Sequence, residues 1–81
     1  MYERKYDIKD GKLVKRDTGI PLPDDEPLFV LRAQDKHALA ILGAYHAFTE
    51  NLQHKADVLL VIKDFQEFER KHPDRMKIPD P

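Results

Sequence analysis

Residues 35–53, which read DKHALAILGAYHAFTENLQ, decide the fold that we expect for this chain. Their apolar side chains follow the i, i+3, i+4, i+7 spacing of an amphipathic helix, at Ala38, Ile41, Leu42, Tyr45, Phe48 and Leu52. The spacing predicts a helix over roughly residues 36–53, about 27 Å long at ~1.5 Å per residue. Asp35 is the expected N-cap, because its carboxylate can accept hydrogen bonds from amides of the first turn. Gly43 weakens a helix by roughly 1 kcal/mol, which indicates a close approach by another element.

A second helix is predicted after a break near residues 53–56, with Asp57 or a neighbour as its cap. Helical spacing continues through Val58, Val61, Ile62, Phe65 and Phe68. Pro73 is expected to end this helix, since the residue before a proline is driven out of the α region. Residues 58–62 are also compatible with a strand, because three of the five are β-branched, but the longer pattern favours a helix. A connection this short makes the two helices antiparallel neighbours.

The run Val58-Leu59-Leu60-Val61-Ile62 is apolar on every face for more than one helical turn. Such a segment has to be surrounded. The first helix covers one side, and either the N-terminal strands cover the rest or the rest is a dimer seam or a partner-binding patch. Leu59 and Leu60 are therefore candidate protein-interaction residues.

The N-terminal part is predicted to supply a β-hairpin and one more strand. Residues 6–15 alternate around Asp10-Gly11, a favoured two-residue turn, and Tyr6, Ile8 and Leu13 are expected to share a half-buried face. Residues 18–27 form a loop, because their prolines fix φ and remove backbone donors. Residues 28–31, which read LFVL, indicate a buried strand that pairs with the hairpin.

Composition excludes several classes of function. The 81 residues include no cysteine and no serine, so disulfides, thiolate metal sites and the two commonest side-chain nucleophiles are absent. The four histidines lack the i, i+3 or i, i+4 spacing of a helical metal site. The three glycines form no phosphate-binding loop. We therefore expect no enzyme, no catalytic residue, no metal and no cofactor.

Charge is segregated along the first 26 residues, although the net charge is only −1. The acidic loop Asp24-Asp25-Glu26 is a candidate contact for a basic partner, and a solvated loop is the alternative. A basic stretch precedes it and gives the alternative function, a nucleic-acid-binding accessory protein, because cations can bind phosphates. Its members are Arg4, Lys5, Lys9, Lys12, Lys15 and Arg16. A charged hairpin exterior that protects an edge strand explains the same residues without a ligand.

Residues 26–35 (EPLFVLRAQD) and 72–76 (HPDRM) resemble stretches of short uncharacterised bacteriophage and prophage proteins. The resemblance implies a phage accessory protein, a class that often binds and blocks a host protein, and it transfers no catalytic residue.

The sequence thus predicts one small α+β domain over residues 1–81. A hairpin, a proline-rich loop and a short strand (1–34) would pack on an antiparallel helical hairpin (35–73), followed by a tail (74–81) in which Met76 and Ile78 are available to dock. The alternative is a mainly α fold with an extended N-terminal arm. The expected function is a non-enzymatic protein-interaction module, with another protein or a second copy as partner. We expect a cytoplasmic location and no membrane partner, because the longest apolar run is far shorter than the ~20 residues that span a bilayer.

Overall fold

The computed structural model describes residues 5–78, and within them it contains two strands, two α-helices and one 3₁₀ turn. In chain order these are β1 (Tyr6–Lys9), β2 (Lys12–Lys15), α1 (Ala38–Phe48), α2 (Leu52–Lys71) and the 3₁₀ turn (Pro73–Arg75). The strands form a two-stranded antiparallel sheet, and α1 packs against α2. The α+β class and the helical hairpin predicted from the sequence are confirmed.

The hairpin forms as predicted because its turn residues adopt the required backbone conformation. Asp10 has φ of 54° and Gly11 has φ of 75°, the two positive values that a type I′ turn needs. The register places Ile8 directly opposite Leu13, so these side chains share one face of the sheet. This face was expected to be half-buried, and Leu13 is half-buried, but the side chains of Ile8 and Tyr6 are 79% and 47% exposed. The expectation fails for Ile8 and Tyr6 because no Cα atom of either strand lies within 8 Å of a Cα atom of the described helices.

The opposite face of the hairpin is covered by its own following loop. Val14 is buried and forms an isolated antiparallel bridge with Pro21. The amide of Leu22 donates to the carbonyl of Leu13 at 3.0 Å, which holds the loop along β2. The proline-rich loop is therefore ordered against the hairpin, and it supplies the hairpin's small apolar contact.

Residues 28–31 do not form the buried strand that their sequence predicts. The segment lies outside any strand, and Phe29 is 84% exposed. Backbone hydrogen bonds close a turn on each side, from Glu26 to Pro23 and from Asp35 to Arg32, but none involves residues 28–31 within the described chain. The prediction was wrong because residues 20–22 already bond along β2, where a third strand would have paired.

The two helices begin differently: α1 has no side-chain cap at its start, whereas α2 has one. Helix α1 begins at Ala38, and the carboxylate of Asp35 accepts from the amide of His37 in the preceding turn instead of occupying the N-cap position. The true cap of α2 is Asn51, whose side chain accepts from the amide of His54 at 2.9 Å. The break therefore falls at residues 49–51, earlier than the predicted 53–56, and Asp57 lies inside α2.

The end of α2 agrees with the prediction, and the chain then returns to the start of α1. Helix α2 ends at Lys71, two residues before Pro73. Lys77 forms a parallel bridge with Asp35, and its carbonyl accepts from the amide of Lys36 at 3.0 Å. Of the two apolar tail residues, Met76 is half-buried whereas Ile78 is exposed. This bridge fixes the orientation of α1 relative to the end of α2.

Little of the described chain is fully buried. The buried apolar residues are Val14, Ala38 and Val58. The chain exposes 6868 Å² of surface, whereas a compact monomer of its mass exposes about 5,050 Å². A Cβ atom added at Gly43 would meet nothing within 4 Å, so the close approach inferred from this glycine is not made by any described part of the chain.

Candidate interaction surface

Helix α1 is apolar around its whole circumference. Its 11 residues, ALAILGAYHAF, contain no charged side chain apart from the titratable His46. Helix α2 covers the side that carries Ala38 and the half-buried Leu42 and His46. The opposite side is exposed to solvent. A helix that is apolar all round is normally buried on all sides, so α1 presents a surface that the described chain leaves open.

The exposed side of α1 consists of a ridge and a shallow row beside it. The α1 ridge is Ile41, Tyr45 and Phe48, which lie at i, i+4 and i+7 and therefore on one side of the helix. All three are exposed, Phe48 by 85%. The α1 groove is the adjacent row with the same spacing, Ala40, Ala44 and Ala47, also exposed. Large side chains thus stand next to methyl groups along about two turns of helix.

The aromatic residues of the α1 ridge expose a large apolar area. A fully exposed aromatic side chain contributes roughly 150–250 Å². At their observed exposures, Tyr45 and Phe48 together present about 200–340 Å², which is on the scale of the largest apolar patch of a typical monomer. Leu52, the first residue of α2, is exposed as well and extends the patch.

The predicted contact residues of α2 are also only partly covered. Val58 is buried and Val61 and Ile62 are half-buried, whereas Leu59 and Leu60 remain 41% and 36% exposed. The apolar run of α2 is therefore divided between a side that meets α1 and a side that meets solvent. Strands were one expected cover for this second side, and they do not lie against it. The role of Leu59 and Leu60 in binding stays a prediction.

A polar junction orients one member of the α1 ridge. The hydroxyl of Tyr45 lies 2.8 Å from Nε2 of His54, and Nζ of Lys5 lies 3.2 Å from Nδ1 of the same ring. An ammonium group only donates, so Nδ1 accepts and Nε2–H donates to the Tyr45 hydroxyl. The rings of Tyr45 and His54 meet edge to face. The junction therefore fixes the Tyr45 ring and uses His54 as a structural hydrogen-bonding residue.

The loop between the helices is held by side chains that satisfy the last carbonyls of α1. Nζ of Lys55 donates to the carbonyl of His46 at 2.7 Å, and the hydroxyl of Thr49 donates to the carbonyl of Tyr45 at 2.7 Å. Carbonyls at a helix C-terminus lack partners within the helix, and a cation there also interacts favourably with the negative end of the helix dipole. The exposed end of α1, where Phe48 lies, is therefore a fixed surface.

The candidate nucleic-acid residues are partly neutralised. Nε of Arg16 lies 3.7 Å from a carboxylate oxygen of Asp7, and Nζ of Lys12 lies 4.0 Å from Asp24. Lys9 and Lys15 make no ion pair within residues 5–78. Arg4 lies outside the described residues. Exposed pairs of this kind are weak, so they reduce the positive field of the hairpin without adding much stability.

The acidic loop lies next to the basic hairpin instead of standing apart from it. Asp24, Asp25 and Glu26 are all exposed, and Asp24 is the member that faces Lys12. Two patches of opposite sign at this distance partly cancel within the range of physiological screening. The loop is available as a steering patch, and its role as a contact stays a prediction.

The solvent side of α2 carries two surface ion pairs, both made by Glu67. Glu67 accepts from Nε of Arg70 at 3.0 Å and lies 3.6 Å from Nζ of Lys71. The hydrogen bond from Arg70, supported by both positive charges, lowers the pKa of Glu67 to about 2. This cluster stabilises the last turns of α2 and lies among exposed charged residues.

Comparison of the chain with protein-family models, curated proteins and solved structures finds no match. Within residues 5–78, no group of three histidine or acidic side chains is arranged to hold a metal ion. No helix in the same range is long and apolar enough to cross a membrane. The resemblance to phage proteins stays a prediction.

The exposure of the α1 ridge was not predicted from the sequence. The helical spacing placed Ile41, Tyr45 and Phe48 on one apolar face with Ala38 and Leu42, but the structure leaves the three ridge residues exposed. The available signal was the absence of charge over residues 38–48. An ordinary amphipathic helix of that length carries charged residues on its solvent side.

Proposed function

We propose that the chain is a small non-enzymatic protein-interaction module that binds its partner through the α1 ridge and groove. The observation that supports this function is the exposure of Ile41, Tyr45 and Phe48 on a helix without charged residues. Exposed apolar surface of this extent, next to a polar remainder, is typical of protein-binding sites. Leu59 and Leu60 of α2 add apolar area to the same helical hairpin.

The two aromatic residues of this surface can supply a large part of the free energy of binding. Burial of the roughly 200–340 Å² presented by the two aromatic residues yields about 5–8 kcal/mol at ~25 cal/mol per Å². Association costs at least about 4 kcal/mol in lost freedom, so further contacts have to contribute. Leu52 and Ile41 provide them, and the fixed end of α1 limits the ordering cost.

The charged segments are proposed to affect how fast the partner associates. The acidic loop Asp24-Asp25-Glu26 would steer a basic partner, an effect that changes association rates more than affinity. If the chain is the phage or prophage accessory protein that residues 26–35 and 72–76 resemble, the partner is a host or phage protein in the cytoplasm.

A site-specific photo-crosslinker tests this function. A photoreactive phenylalanine analogue is placed at position 48 and, as a matched control, at position 29, because Phe48 and Phe29 are 85% and 84% exposed. We expect a discrete protein adduct from position 48 and none from position 29. An adduct with a different protein should be competed away by excess unlabelled chain and not by the Phe48→Glu variant. Equal labelling from both positions, or equal competition by the variant, would contradict the proposal.

A further inference from the structure

We infer that the occupant of the α1 surface is a second copy of this chain, bound with the two α1 helices antiparallel about a two-fold axis. This inference rests on the proposed function and names its partner. The two helical hairpins would then form a four-helix assembly in which the α1 helices lie inside. Such an arrangement places an all-apolar helix where one is expected.

The surface area of the chain matches what a dimer needs. The observed 6868 Å² exceeds the value for a compact monomer of its mass by about 1,800 Å². A standard stable interface removes about 800 Å² from each partner. The area of one such interface is smaller than the surplus, which also includes the exposed hairpin and residues 28–31, and pairing through α1 would cover the apolar residues of the α1 ridge.

The charge of the surface favours a second copy over a partner of complementary charge. Residues 38–48 carry no acidic or basic side chain apart from His46, which lies half-buried on the side that faces α2. A charged partner would have to desolvate its own ions against this surface without receiving counter-charges. An identical apolar surface incurs no such cost.

The shape of the surface is complementary to itself. The α1 ridge of one copy can pack into the α1 groove of the other, and the two-fold axis repeats the same contact in the opposite direction. In the antiparallel arrangement Phe48 of one copy faces Ala40 of the other, with Ala44 near the axis. The open space above Gly43, at the edge of the α1 groove, allows the helices to approach closely.

Sedimentation velocity over a wide range of concentrations tests the dimer, with the matched variants Phe48→Glu and Phe29→Glu. Both replace an equally exposed phenylalanine by the same charged residue. We expect the wild type and Phe29→Glu to sediment as dimers and Phe48→Glu to sediment as a monomer, with its helical circular dichroism retained. A wild type that stays monomeric, or a Phe48→Glu variant that dimerises like Phe29→Glu, overturns the inference.

A charge-rescue experiment tests the antiparallel contact, and recovery of a mixed dimer would itself show that both variants are folded. Ala40→Lys alone should also prevent self-association, because it places a charge in the α1 groove. An equimolar mixture of Ala40→Lys and Phe48→Glu should recover a mixed dimer, whereas a mixture of Ala47→Lys and Phe48→Glu should not. Recovery only with Ala47→Lys would contradict the antiparallel arrangement.

The photo-crosslinker at position 48 separates this inference from the proposed function. An adduct of twice the chain mass supports both. A specific adduct with a different protein, together with a monomeric wild type, refutes the dimer and leaves the proposed function intact. A monomeric wild type without a specific adduct refutes both.

Discussion

Replacement of Gly43 by alanine tests whether the outer side of α1 is open within a single chain. The new Cβ atom would meet no atom within 4 Å, so the substitution should create no clash. Alanine is favoured over glycine in a helix interior by about 0.8–1.0 kcal/mol. For a domain of this size, a gain of ~1 kcal/mol raises the melting temperature by roughly 4–8 °C.

The measurement is best made on a monomer, so that stability is not mixed with self-association. Gly43→Ala is introduced into the Phe48→Glu background. Unfolding in urea is followed by circular dichroism, which reports helix content. The matched control is Ala44→Gly, which changes a neighbouring exposed position of α1 in the opposite direction and should lose about the same amount. A Gly43→Ala variant that is neutral or destabilised would refute the reasoning, because it would place part of the chain above Gly43.

Three further predictions concern the caps and the surface charges. Asn51→Ala should destabilise the chain by about 1 kcal/mol in urea unfolding. Asn51→Asp should retain most of that stability, because a carboxylate can cap in the same way. Equal losses in the two variants would mean that the side chain does not cap α2. Lys55→Met should cost about 0.5–1.5 kcal/mol because it removes one of two hydrogen bonds to the His46 carbonyl and leaves the bond from the Thr49 amide. Unchanged amide exchange at the end of α1 would argue against the Lys55 bond. The bond from Arg70 to Glu67 should stabilise the fold fully above pH 4.5, the ordinary pKa of a glutamate, and this stabilisation should be lost as pH falls through about 2, because the folded state favours the carboxylate. An NMR titration of Glu67 should find a midpoint near 2 that moves towards 4.5 in Arg70→Gln. A midpoint that does not move in this variant would contradict the assignment.

The hairpin was predictable because its turn is determined by two adjacent residues. Asp10 and Gly11 tolerate positive φ, and that conformation alone directs the chain back on itself. The side that the hairpin buries was not predictable in the same way. Val14 is covered by Pro21, which follows after a loop, whereas Ile8 has no neighbour of that kind.

The helices were predictable in kind but not in extent. The apolar repeat passes from Phe48 to Leu52 at a spacing of four, so the periodicity continues across the residues that separate α1 from α2. The break depends on Thr49, which adopts an extended backbone, and on the side-chain cap at Asn51. Capping is a hydrogen-bond property of single residues, and a hydrophobic pattern does not record it.

The sequence by itself determined the local conformations and the absence of cysteine and serine, because turns, helix propensities and side-chain chemistry depend on a few neighbouring residues. Only the tertiary structure decided which apolar surfaces are covered. Residues 28–31 remain without a strand partner, and α2 covers one side of α1 and leaves Ile41, Tyr45 and Phe48 exposed. Burial depends on which distant segment arrives at a surface, and a helix that is apolar all round has more surface than one neighbouring helix can cover.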